Sequence, residues 1–271
     1  MFRKFLPAIF FTSLSIAGFS QTKLGEVACV YVTSPNLDSS VALYEKIGFP
    51  KIASNVIPVP WAQVSDGSLL IMMRKDTAKY VGLTYYVTDI EKVATQLEKE
   101  GIQFTQKPKE GDPIKRYYFK SPDGFNIMLA ANVGAFKQPT GITMLNMTTN
   151  DFQSADKYPN KQCGAFGEFC HPVTDLNRSI EYWKKLGFEV KTQMTSPYPW
   201  AIVSDGLMLI GLHQTKEFSY PAVTYFGLNT DKRVQQLKEK GVTNFTEMMG
   251  KNNVILKTWE GLHFFLFSMG L

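Results

Sequence analysis

A chain of 271 residues with 44% hydrophobic and 20% charged side chains has the apolar material for a core in one or two domains, and is neither low-complexity nor disordered in composition. Its net charge of +5 is carried without a dense Lys/Arg stripe, so nucleic-acid binding has no electrostatic footprint. The three cysteines, Cys29, Cys163 and Cys170, show neither CxxC nor Cys/His zinc-finger spacing and read as small buried apolar residues.

The first twenty residues, MFRKFLPAIFFTSLSIAGFS, have a short basic start at Arg3 and Lys4, an uncharged run from Leu6 to Phe19, and small residues at Gly18 and Ser20. This is the layout of a secretory signal peptide, with an apolar run too short for a comfortable span. The expectation is an exported or periplasmic protein starting near Gln21, with no stable membrane span after cleavage.

GEVACVYV then alternates as a strand, and NLDSSVALYEKIGF carries Val41, Tyr44 and Ile47 at helical spacing before Gly48. WAQVS and SLLIMM are short strands joined through Asp66-Gly67. The order restarts with GLTYYVT, a helix capped by Asp89 with Ile90, Val93 and Leu97 on one face, a stop at Gly101, and the strands RYYFK and FNIMLA joined through SPDG.

The second half repeats the first. GEFCHPVT is a strand, DLNRSIEYWKKLGF matches the earlier helix, VTYFGL matches LTYYVT, and WEGLHFFLF matches PDGFNIMLA. PWAQVSDG at 60–67 returns as PWAIVSDG at 199–206, a repeat distance that indicates a copied domain. The predicted organisation is a signal peptide (1–20), domain 1 (24–132), a polar linker (133–163) in which GITMLNM is a candidate edge strand, and domain 2 (164–271). The fold class is α+β, with four βαβββ units forming two domains.

The helix phrase DLNRSIEYWKKLGF, its weaker copy and the SPDGFNIML ending resemble the vicinal oxygen chelate superfamily, which includes glyoxalase I, extradiol dioxygenases, and fosfomycin- and bleomycin-resistance proteins. The resemblance covers nearly the whole chain beyond the leader. It implies two tandem glyoxalase-like domains with curved mixed β-sheets, each around a cleft, and a divalent metal in active members. It places metal ligands at four points per domain. In the second domain these are Glu168, a residue within LMLIG, Ala222 and Phe265; in the first they are Glu26 or Val27, a residue within LLIMM, Gly82 and Met128. Each domain thus keeps at most one carboxylate, so no cofactor is expected. The remaining metal candidates are Glu26 and Glu168, in a mixed site if they face each other.

Strand alternation assigns the cleft linings. Domain 2 should present Glu168, Cys170, Thr224, Phe226, His263, Phe265 and Phe267. Domain 1 should present Thr84, Tyr86, Asn126 and Met128, with Cys29 and Tyr31. Trp61 and Trp200, in the repeated word, fit either core or ligand contact. These soft aromatic walls predict binding of a small, partly apolar or aromatic organic molecule. Two alternatives stay open: a lyase or isomerase using Glu168 and His263 for proton transfer or an atypical metal site, and a scaffold with closed clefts that binds a protein. His171 reads as structural and His213, at a strand end, as exposed.

Overall fold

The computed structural model describes residues 22–134, 136–248 and 253–268; the predicted export segment, 1–20, lies outside them. The first half runs β1 (Val27–Ser34), α1 (Leu37–Lys46), β2 (Lys51–Asn55), β3 (Trp61–Ser65), β4 (Leu70–Lys75), β5 (Val81–Val87), α2 (Ile90–Lys99), β6 (Arg116–Lys120) and β7 (Asn126–Ala131). These strands form one sheet in the order β2-β3-β4-β1-β5-β7-β6, with β1 parallel to β4 and antiparallel to β5.

Both helices of this half begin where the sequence places a side-chain acceptor. Asn36 accepts from the Ser39 amide, and Asp89 accepts from the Lys92 amide at 3.3 Å. One predicted strand of the second unit is reduced to a single bridge between Gln106 and Tyr118. The segment around it carries Pro108, Gly111 and Pro113, which interrupt a hydrogen-bonded ladder.

Among the described residues, the connection to the second half holds no edge strand. GITMLNM forms a 3₁₀ turn at Met144–Asn146, followed by α3 (Thr149–Phe152), which a Thr148/Asp151 capping box starts. The backbone of Gly141 and Ile142 is already taken by Gly67 and Ser68, so it has no ladder to join. The second half then runs β8 (Ala165–Pro172), α4 (Leu176–Lys185), β9 (Glu189–Met194), β10 (Trp200–Ser204), β11 (Leu209–His213), β12 (Ala222–Gly227), α5 (Thr230–Glu239), β13 (Phe245–Glu247), β14 (Val254–Lys257) and β15 (His263–Ser268). Its sheet order is β13-β14-β15-β12-β8-β11-β10-β9.

Alternation gives each sheet two different faces. On the helix side, Val30, Tyr85, Phe169 and Tyr225 join one continuous core shared by both halves. Aromatic rings cross between the halves. Phe125 packs on Phe169 (5.0 Å) and Trp183 (6.0 Å), and Phe49 packs on Tyr225 (5.9 Å) and Phe264 (5.8 Å). The sheet faces away from the helices are therefore directed outward, and any cleft must lie there.

The repeated word explains how the halves lock. Asp66 Oδ1 accepts from the Ser68 and Leu69 amides, both at 2.9 Å, closing its own turn, while Oδ2 accepts from the Tyr225 hydroxyl of the other half at 2.6 Å. Asp205 repeats this with the Leu207 and Met208 amides at 3.0 Å and the Tyr85 hydroxyl at 2.6 Å. Both tyrosines are fully buried. The helix phrase and the PDG phrase meet in the same crossed way. Ser179 on α4 donates to Asp123 at 2.5 Å, and Ser40 on α1 donates to Glu260.

Burial raises the pKa of Asp66 and Asp205, and the tyrosine hydrogen bonds oppose that rise. The folded chain holds these protons more readily than the unfolded chain. Their contribution to stability therefore falls as pH climbs from the ordinary Asp range through the raised values. Tyr85→Phe or Tyr225→Phe should cost about 1–3 kcal/mol near pH 7. The deficit should shrink toward about pH 5, where the unpaired carboxyl takes up a proton more readily. Urea unfolding at both pH values measures this, and an equal deficit at both would contradict the assignment.

Candidate functional site

On the outward face of the first sheet a cleft of about 760 Å³ opens among Trp61, Met72, Tyr86 and Met128, with Arg74 and Arg116 at its polar side. Alternation builds it: Val27, Cys29, Tyr31, Leu70, Met72, Tyr86 and Met128 pack as a second apolar cluster, separate from the shared core. Phe136 closes one wall from the connecting segment, with its ring 4.4 Å from that of Tyr86 and 6.0 Å from that of Trp61. Gln138 pins this strap by accepting from the Ala28 amide (2.8 Å) and donating to the Leu207 carbonyl (3.0 Å).

Arg74 pairs with Asp76 at 2.5 Å, whereas Arg116 makes no ion pair among the described residues. Burial pushes the Tyr31 phenol up to about 12, and the charges of Arg74 and Arg116 pull it back, so both cations act on the same polar end. Asn126 faces an adjoining cavity of about 360 Å³ and donates to the Val81 carbonyl at 3.0 Å. Thr84 is fully buried beneath the cleft.

The second sheet fills the matching face differently. Its β11–β12 connection carries Phe218 and Tyr220, and Phe218 packs edge-on against Phe265 at 5.3 Å. Below them Glu168 Oε1 accepts from His213 Nε2 at 2.8 Å and from the Thr224 hydroxyl at 3.2 Å. Cys170 Sγ lies 3.8 Å from that hydroxyl. Trp200 stacks nearly parallel on His213 (6.1 Å, 12°), and Tyr198 and Phe218 meet the same ring edge-on. Burial, and then the charge of Glu168, push the Cys170 thiol well up, so it is not an activated nucleophile in this setting.

The structure joins Glu168 to His213 rather than to His263. Sheet order explains this correction, because β8 lies beside β11, whereas β12 separates it from β15, which carries His263. His263 stacks on Tyr220 at 3.9 Å and contacts the Gly261 carbonyl, and burial lowers its pKa. The side chain of His213 is only 12% exposed, against the expectation of an exposed strand end. Glu26 is no partner for Glu168, since it is exposed and accepts from the Thr88 amide at 3.0 Å.

The register corrects the alignment as well. Glu168 lies opposite Thr224 as Cys29 lies opposite Thr84, so the counterpart of Glu168 is Cys29 and not Glu26 or Val27. Phe226 stacks on Phe267 (5.6 Å, 19°) beside Gly167, where a Cβ would strike the Phe226 ring. His171 contacts the Asp123 carbonyl at 2.9 Å and packs on Phe125 at the junction between the halves.

No protein-family model matches the sequence, and no curated protein matches it. Solved structures do. The 2,3-dioxygenase LapB from Pseudomonas sp. KL28 matches with a TM-score of 0.56 and 16% identity, over 94% of each chain. Homoprotocatechuate 2,3-dioxygenase from Arthrobacter globiformis matches at 0.56 and 14%, over 91% of this chain and 80% of that one. A Mn(II)-bound glyoxalase from Novosphingobium aromaticivorans matches at 0.52 and 14%, over 92% and 83%. The chain has the vicinal oxygen chelate fold.

A divalent ion at the four points that this fold implies does not fit the side chains found there. Beside Glu168 stand Ala222 and Phe265, and β11 offers Gly211; the first sheet offers Met72, Gly82 and Met128. Met72 and Met128 are buried in the apolar wall of the cleft. A different set does converge: one ligand atom each from Glu168, Cys170 and His213 lies within 4.8 Å of the others.

Alternation along LIMMRK and LIGLH was the signal that could have placed Arg74 and His213 on the outward faces. Phe136 carries no such signal, because its segment has no period. Removing the His213 ring should leave the Glu168 carboxylate with only the Thr224 hydroxyl. His213→Ala should then lose about 1–3 kcal/mol of stability in urea unfolding, while an unchanged midpoint would show that the pair contributes nothing.

Proposed function

We propose that the protein binds a small organic molecule, with an aromatic or apolar body and an anionic group, in the first-half cleft and without a metal there. The observation that carries this reading is the composition of the cleft. Trp61, Tyr86 and Phe136 supply flat apolar walls, and Arg116 supplies a cation with no protein counter-ion among the described residues. Its volume of about 760 Å³ suits a ligand of metabolite size. Methionine side chains at Met72 and Met128 stand where coordination would need oxygen or nitrogen donors, so recognition rests on stacking and charge.

The rival acid–base reading lacks the pair it requires. Glu168 is engaged by His213 and Thr224, and that pair is buried beneath Trp200 and Phe218. Binding is therefore the reading that the geometry supports best. We further propose that the protein acts outside the cytoplasm, on the strength of the basic, apolar and small-residue layout of residues 1–20.

A panel of aromatic carboxylates and their neutral amides, titrated calorimetrically, tests the first proposal. At least one carboxylate should bind more tightly than its amide. Trp61→Ala should weaken it by about tenfold or more, and Arg116→Ala should weaken the acid but not the amide. Equal affinity for acid and amide, or indifference to Trp61→Ala, would overturn the reading. N-terminal sequencing of the protein recovered from its native compartment should begin near Gln21; an intact Met1 would contradict export.

A further inference from the structure

The second half carries three donors that the binding cleft does not use: the Glu168 carboxylate, the Cys170 thiol and the His213 imidazole. We propose that they form a site for a zinc-class divalent cation, displaced by one pleat from the points that the fold family implies. Glu168 is the only one of the three at such a point. Cys170 lies two residues further along β8, and His213 two residues beyond Gly211 along β11. The two strands are parallel, with Gly211 opposite Cys170, so both displacements run in the same direction on the same face.

Several features fit an ion better than a filled core. The donor atoms lie within 4.8 Å of one another. Tetrahedral zinc ligands at about 2.0–2.3 Å from the metal stand roughly 3.3–3.7 Å apart, so small side-chain rotations suffice. The Glu168–His213 hydrogen bond, at 2.8 Å, would open by a fraction of an ångström to admit the ion. A thiolate, an imidazole and a carboxylate are a donor set that zinc accepts, leaving a fourth position.

Gly211 makes the room. A Cβ there would collide with the Glu168 carboxylate and crowd His213 Nε2, whereas the register places Met72 at the corresponding position of the first sheet. Trp200 and Phe218 hold the imidazole in place by stacking and edge contact. The charges also balance, since a divalent cation neutralises one carboxylate and one thiolate in a buried setting. On binding, the Cys170 S–H proton leaves to solvent and a sulfur–metal bond forms. His213 coordinates through Nε2, and the proton that Nε2 donates to Glu168 without the ion moves to Nδ1, an atom with no hydrogen-bond partner among the described residues.

The test is titration of the reduced, metal-stripped protein with Co(II), followed by replacement with Zn(II). One equivalent should bind, with a thiolate-to-cobalt charge-transfer band in the near ultraviolet and release of about one proton per ion. Cys170→Ser should abolish the band and weaken binding by roughly 100-fold, while Cys163→Ser and Trp61→Ala should leave both unchanged. X-ray absorption of the zinc-loaded wild type, which needs no variant, should show one sulfur near about 2.3 Å with nitrogen and oxygen near about 2.0–2.2 Å. Failure to bind, a shell without sulfur, or a band that survives Cys170→Ser would each overturn the proposal. Because Trp61→Ala is silent here, loss of this site and loss of the first-half cleft are separable.

Discussion

Two buried carboxylates govern this molecule. Asp66 and Asp205 each close a turn with one oxygen and accept a tyrosine hydroxyl from the opposite half with the other. A carboxylate out of water is costly unless its lone pairs are filled, and neither half can fill them alone. The repeated octapeptide is thus a docking element, and its aspartate is satisfied only when the second copy is present. The Ser40–Glu260 and Ser179–Asp123 contacts extend the same exchange through the helix phrase and the PDG phrase. Once the helix faces are committed to each other, the opposite face of each sheet is left to chemistry.

On those two faces one scaffold carries different contents. Register pairs Cys29 with Glu168, Tyr31 with Cys170 and Arg74 with His213, each set reading outward from the same strands. In the first half, thioethers and aromatic rings line the outward face and leave an apolar cleft edged by guanidinium groups. In the second, a glycine in place of a methionine admits a carboxylate, and Phe218 covers it where the first half has only the Asp76–Tyr80 segment. The halves share their outlines and differ on these faces at a handful of side chains.

Much of this was legible in the sequence. Periodicity placed the helices and most strands, Asp89 marked a helix start, and alternation put Glu168, Cys170, Tyr86 and Met128 on outward faces. Alternation says which face a side chain takes, but not which strand lies next to it. That is why Glu168 was matched with His263, two strands away, when its neighbour is His213 on the adjacent strand. The expected strand at GITMLNM became short helical turns, because its backbone partners lie in the 67–68 turn and not in a ladder. Phe136 and Gln138 reach their places through long-range packing that no local pattern records. The role of the repeated aspartates also needed the other half in view.

One sheet carries an open cleft walled by aromatic rings and thioethers, and the other a covered polar cluster. Soaking crystals with the tightest-binding aromatic carboxylate tests this division most directly. Density should appear between Trp61 and Tyr86, with the carboxylate directed toward Arg74 and Arg116 and the Phe218–Tyr220 cover undisturbed. A ligand seated instead on the second sheet, with Phe218 displaced and its anion against His213, would contradict the account.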